Sequence, residues 1–153
     1  MKIEAKEVER RIEMFSNFCR RYGAKVTHQR TEIYRELAGT NEHPDAETIY
    51  ARVRKRIPTI SLDTVYRTLR LLERRGLISR VGSLGERTRF DADTKRHHHF
   101  VCTGCGFMGD IYNDEWNDFR FPSDVMAMGT VNSVHIELRG LCKACQRKLR
   151  FKG

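Results

Sequence analysis

Two C-x-x-C pairs, Cys102-Thr103-Gly104-Cys105 and Cys142-Lys143-Ala144-Cys145, lie 36 residues apart in a chain of 153. Four thiolates in two such knuckles match a tetrahedral structural zinc site, and holding one ion requires the intervening chain to fold back on itself. One C-x-x-C alone would equally suit a redox pair, whereas two in so short a stretch favour zinc over disulfides in a reducing compartment. A closed four-sulfur site has no open position, so its work is structural. Gly104 and Gly106 fit the tight knuckle turn. The fifth cysteine, Cys19, sits at helical spacing with Ile12, Phe15 and Tyr22 and is expected to be a buried thiol.

The length suits one ordinary domain or two small ones. With 39% hydrophobic and 32% charged residues the chain is expected to fold and to be soluble. It has no apolar run long enough to span a bilayer, and its opening residues mix charge with every apolar pair, so a cytoplasmic protein without a membrane partner is expected. The net charge of +9 is unevenly placed: residues 1–90 hold 20 Lys and Arg against 12 Asp and Glu, residues 91–153 hold 9 against 8. A basic half joined to a nearly neutral half is the footprint of a nucleic-acid-binding domain with a partner domain, although a solvated basic surface would give the same count.

Apolar spacing predicts a helix over 5–22, ended by Gly23, and a second from the N-cap Thr27 to Ala38. A third begins near Pro44 and Asp45, with proline in its first turn, and runs to about Ile57. A fourth is capped by Ser61, turns Leu62, Val65, Leu69 and Leu72 inward, and ends at Gly76. Residues 77–92 then read as a β-hairpin around a Gly-rich turn. Helices followed by a hairpin predict a winged helix-turn-helix over 1–90, with 61–75 as the reading helix. Residues 91–96 make a polar hinge and 97–153 a second, α/β domain, so the fold class is α+β. That second domain is expected to hold strands at 97–102 and 107–112, a helix from Asp114 interrupted by Pro122 and Gly129, a strand alternating Val134, Ile136 and Leu138, and a short basic helix after Cys145.

The segment 95–110 adds His97, His98, His99 and Asp110 to the first cysteine pair. Along a strand His97 and His99 share one face and His98 takes the other. Asp110 on the next strand is placed to meet the His97 and His99 face. Two imidazoles with carboxylates make a harder site than four thiolates, suited to Fe2+, Mn2+, Co2+, Ni2+ or Zn2+. The competing reading is an exposed polar strand edge.

The stretches "THQR", "HPDAETIY", "SLDTVYRTLRLLERRGLI", "RFD", "HHHFVCTGCG" and "CKAC", in this order and spacing, resemble the ferric uptake regulator family over about residues 20–148. The resemblance implies a homodimeric winged-helix repressor that binds a double-stranded DNA operator in a metal-dependent way. It implies structural zinc on Cys102, Cys105, Cys142 and Cys145, and a regulatory site of His43, Asp91, His97, His99 and Asp110 holding Fe2+ or Mn2+. It implies base contacts by Tyr66 and Arg67 and a minor-groove contact by Lys25. Arg70 and Arg74, further along the same helix, are placed for phosphate contacts. The run Arg52, Arg54, Lys55 and Arg56 reads as a solvated surface.

Iron sensors of the family typically carry glutamate where this chain has Asp91 and Asp110. Aspartate at both resembles the peroxide-regulator branch, in which bound iron directs oxidation onto the histidines corresponding to His43 and His97. The alternative is a metal-level sensor for iron, zinc or manganese. Val134 and Asn117 depart from the pattern of a third metal site, which leaves His135 as a surface residue. A metal-dependent hydrolase or a zinc-built interaction module are the remoter readings. There is no H-E-x-x-H and no evident general base beyond the proposed metal ligands, so the chain is read as a non-enzyme without a small organic substrate.

Overall fold

Short side-chain caps open three of the first four helices. Thr27 accepts from the Arg30 N–H, Asp45 from Thr48 and Ser61 from Thr64, each supplying an acceptor to an otherwise orphaned N–H. In this computed structural model, which describes residues 3–82, 87–118 and 120–150 (Asn117 and Arg150 by backbone only), the helices are α1 (Ala5–Arg21), α2 (His28–Ala38), α3 (Ala46–Arg54) and α4 (Leu62–Arg74). Two departures from the sequence reading concern α3. Pro44 precedes the cap Asp45 instead of entering the first turn, and the helix ends at Arg54, with 55–57 continuing as turn. Gly76, at φ +69°, takes the left-handed position that closes α4.

Strands β1 (Ser79–Val81) and β2 (Arg89–Asp91) pair antiparallel, Ser79 opposite Asp91. The turn of this hairpin runs through 83–86, outside the described residues. With the helices they form the first of two compact units, Met1–Thr94 and Lys95–Gly153. Its core includes Phe15, Ile33, Leu37, Ile49, Leu69 and Phe90, and Cys19 is buried there as expected. Arg56 is no free solvated residue: its guanidinium reaches Glu32 and Glu36 of α2. Phe15 is fully buried and stacked on Tyr34 at 4.9 Å. Phe15→Ala is expected to cost this unit about 3–5 kcal/mol through lost burial and a cavity, read as a lower denaturant midpoint.

The second unit is a three-stranded sheet in the order β4-β3-β5: β3 (His98–Cys102), β4 (Met108–Ile111) antiparallel to it, and β5 (Glu137–Gly140) parallel to it. Asn113 caps a short 3-10 turn at Asp114–Asn117, and α5 (Ser123–Met128) follows. Pro122 and Gly129 therefore bracket a helix instead of interrupting one. The strand expected to alternate Val134, Ile136 and Leu138 begins only at Glu137, and Leu138 is 40% exposed. Ile136 gives its N–H to the His98 ring and its carbonyl to the His99 N–H, so it leads into the strand. Helix α6 (Lys143–Arg150) starts before Cys145 and places it on the first turn. No helix among the described residues is long and apolar enough to cross a membrane.

Candidate metal centres and nucleic-acid interface

Both cysteine pairs converge. Cys102 ends β3, Cys105 closes the turn to β4, and Cys142 and Cys145 sit at the start of α6. Their sulfurs all lie within 4.8 Å of one another, with no disulfide among them, and Cys105 and Cys142 are 3.8 Å apart. A tetrahedron built on Zn–S bonds of ~2.3 Å has edges of about 3.8 Å, the spacing that Cys105 and Cys142 already have. The close approach explains Gly104: a Cβ there would stand 3.2 Å from the Cys145 sulfur. Gly106, at φ +71°, completes the knuckle. The Cys142 N–H donates to the Cys102 sulfur, which lowers that thiol to about 6. Hydrogen bonding to the Cys105 and then the Cys142 sulfur pushes the Cys145 thiol up to about 12. Four sulfurs this close do not each carry a charge unless a cation is among them.

The histidines divide as the strand period requires. His97 and His99 are both buried, with their Nε2 atoms 3.0 Å apart. Asp110 stands directly opposite His99 in the β3–β4 register, and its Oδ1 lies 3.8 Å from His99 Nε2 and 4.0 Å from His97 Nε2. His97 Nδ1 donates to the Lys95 carbonyl at 2.7 Å, which leaves the Nε2 lone pair for a metal. Two donors held at right angles on bonds of ~2.1 Å would also stand about 3.0 Å apart, the spacing these nitrogens have. A buried pair of imidazoles beside a carboxylate is therefore no exposed strand edge. His98 takes the opposite face, fully buried with its ring 5.6 Å from Trp116, and accepts from the Ile136 N–H. Burial lowers its pKa. His135 is exposed as expected, and its ring stacks on His99 at 5.7 Å. The Asn117 side chain lies outside the described residues.

In the first unit His43 and Asp91 come together because the loop before α3 pairs with β2. Asp45 bridges Arg89, and the Phe90 N–H donates to the Pro44 carbonyl. One step further along this register, His43 Nε2 lies 3.5 Å from Asp91 Oδ2, with both residues buried. His43 holds φ +51°, a left-handed conformation costing of order 1 kcal/mol or more in a residue that also precedes proline. The chain bears that strain to aim an imidazole at a carboxylate. Asp91 closes β2, where the sequence reading opened the hinge.

Helix α4 buries Val65, Leu69 and Leu72 and exposes Tyr66, Arg67, Arg70 and Arg74. Tyr66 donates to Glu47 at 2.8 Å, a bond that also raises its pKa, and Arg67 pairs with Asp63 at 2.8 Å. Arg70 lines a cleft of about 330 Å3 with Tyr66, Leu69, Phe90, Arg80 and Arg87. Arg80 and Arg87, on the hairpin, escaped the sequence reading, although basic residues flanking the hairpin turn were visible there. Lys25 is exposed between α1 and α2, its carbonyl accepting from Arg30.

Residues 21–138 match the model of the ferric uptake regulator family. Over 148 residues, 97% of this chain and 100% of the relative, the sequence is 30% identical to the peroxide-responsive repressor PerR of Staphylococcus aureus. The fold is similar to that of the Helicobacter pylori ferric uptake regulator Fur, with a TM-score of 0.72 at 23% identity over 95% of this chain and 97% of that one. It is also similar to a Campylobacter jejuni peroxide stress regulator, with a TM-score of 0.62 at 26% identity over 88% and 98%.

Proposed function

The chain belongs to the ferric uptake regulator family, and from that premise we propose that it is a DNA-binding repressor whose operator affinity is set by a regulatory metal ion and released by peroxide. The observation that carries the proposal is the coexistence of two donor sets of different hardness. The four thiolates take structural zinc. The regulatory ion, Fe2+ or Mn2+, takes His43 and Asp91 of the first unit together with His97, His99 and Asp110 of the second.

The residues divide the labour accordingly. His97 is held by the Lys95 carbonyl in the tautomer that offers Nε2. Asp110 adds a carboxylate oxygen 3.8 Å from His99 Nε2 and 4.0 Å from His97 Nε2, the hard donor that suits a first-row divalent ion. The exposed face of α4 reads the major groove through Tyr66 and Arg67, with Arg70 on phosphate and Lys25 in the minor groove. A homodimer presents two such helices to two half-sites of one duplex, so ligands drawn from both units couple metal binding to DNA binding.

Aspartate at 91 and 110, together with the identity to a peroxide-responsive repressor, supports peroxide as the signal. Ferrous iron, when bound, would activate hydrogen peroxide: its O–O bond breaks, one oxygen enters a C–H bond of the His43 or His97 imidazole, which is oxidised by two electrons, and the other oxygen leaves as water. Zinc-containing protein loaded without oxygen with Fe2+ or with Mn2+ is to be treated with peroxide, following operator binding and peptide mass. Loss of binding in the iron form alone, with added oxygen on a peptide carrying His43 or His97, is the expected result. Unchanged binding and unmodified histidines in both forms would make the protein a metal-level sensor.

A further inference from the structure

Arg11 lies on the buried face of α1, 9% exposed, among Ile12, Phe15 and Cys19. A guanidinium there has lost most of its water and needs carboxylate partners. It has two. Glu7, one turn back, accepts from Nε at 3.0 Å, and Asp93, 82 positions along the chain, accepts from Nη2 at 3.1 Å. The Arg11–Asp93 pair is shielded on both sides, with side chains only 11% and 12% exposed. The Asp93 backbone N–H in turn donates to Asp91 Oδ1 at 2.7 Å, while Asp91 Oδ2 faces His43 Nε2 at 3.5 Å.

From this continuous path we infer that Arg11 is a positioning residue for the regulatory metal, acting through Asp93 on the carboxylate of Asp91. The inference rests on the reading of Asp91 as a ligand. Arg11 pins Asp93, the 91–93 turn is thereby fixed, and its N–H occupies one oxygen of Asp91. The other oxygen is left aimed at the His43 side. Without the guanidinium the turn loses its anchor to α1 and Asp91 regains rotation about its side-chain bonds, so metal binding must order it again. Arg11 lies before the 21–138 match to the family model, which gives a residue outside that match a part in setting metal affinity.

The test is the Mn2+ affinity of the full-length, zinc-containing protein for wild type, R11A, R11K, D93N, the R11A/D93N double variant and D91A. Outer-sphere partners of metal ligands are typically worth 10–100-fold in affinity, and a weakening in that range is expected for R11A and D93N. The double variant should be no weaker than either single one, R11K should recover part of the loss, and zinc content should stay unchanged. D93N keeps the side-chain volume and remains readable if R11A lowers the melting temperature. Wild-type Mn2+ affinity in both R11A and D93N, with D91A weakened, would overturn the positioning role and leave Asp91 a ligand. Wild-type affinity in D91A would instead remove Asp91 from the metal site, and the role of Arg11 with it.

Discussion

Cys142→Ser is expected to cost the protein its zinc and the fold of residues 95–150, while the helical first unit keeps its own core. The reason is the uneven distribution of buried apolar side chains. Every member of the main hydrophobic cluster, from Ile12 to Ala92, belongs to the first unit. In the second unit the described buried apolar residues are Val101, Cys102 and Met108. Val101 and Met108 contribute roughly 1.5–3 kcal/mol each and Cys102 is taken up by the metal set, so burial falls far below the ordering entropy of a unit this size at ~1–2 kcal/mol per residue. Structural zinc in small domains supplies an apparent ~10–16 kcal/mol, which is folding free energy where no site is preformed in the unfolded chain. Serine cannot replace the missing thiolate, and three ligands leave the knuckles open. Zinc content by mass spectrometry, far-UV circular dichroism and limited proteolysis should show the metal gone, strand signal lost and cleavage concentrated after residue 95. A zinc-free variant with protected 95–150 would show that the sheet stands without the ion.

His97→Ala is expected to leave zinc in place and remove the metal response. His97 contributes a buried nitrogen 3.0 Å from His99 and is aimed by its own bond to Lys95. Truncation deletes one donor and leaves Asp110 with a single imidazole neighbour on that strand. Loss of one first-row-metal ligand exceeds the 10–100-fold typical of an outer-sphere change, so Mn2+ affinity should fall by at least that much. The 5- to 150-fold gain in DNA affinity that a coupling of ~1–3 kcal/mol provides should vanish with it. Zinc retention separates this outcome from unfolding of the sheet. A His97→Ala protein that still tightens on DNA when Mn2+ is added would exclude His97 from the regulatory set.

Much of the first unit was legible because its signals are local. Thr27 and Ser61 cap the helices they were expected to cap, and the apolar spacing of α4 places Tyr66, Arg67 and Arg70 on its exposed face. The convergence of Cys102, Cys105, Cys142 and Cys145 was legible for a different reason: four cysteines at knuckle spacing admit few other uses. The alternation of His97, His98 and His99 followed from strand geometry alone. Other features depended on pairing distant in sequence. The start of β5 is fixed by its parallel register with β3 and by the His98 ring taking the Ile136 N–H, neither of which Val134 or Leu138 announces. Asp93 read as one more polar hinge residue, yet it is the carboxylate that answers Arg11. An arginine three residues after Val8 and four before Phe15 was the visible sign that an apolar stripe contained a charge in need of a partner. His43 carried no local signal. Its meeting with Asp91 comes from the Asp45–Arg89 bridge and from a backbone strain that a sequence does not display.

Thermodynamic linkage gives the most direct test of metal-controlled DNA binding. If metal tightens DNA binding by some factor, DNA must tighten metal binding by the same factor. The measurement is the Mn2+ affinity of the zinc-containing protein, at fixed salt, with and without a duplex that the protein has selected from random sequence. A 5- to 150-fold tightening on the duplex, equal to the factor by which Mn2+ tightens the duplex itself, is the expected result. An Mn2+ affinity indifferent to DNA would contradict metal control, whatever the ion's identity and whatever peroxide does to the histidines.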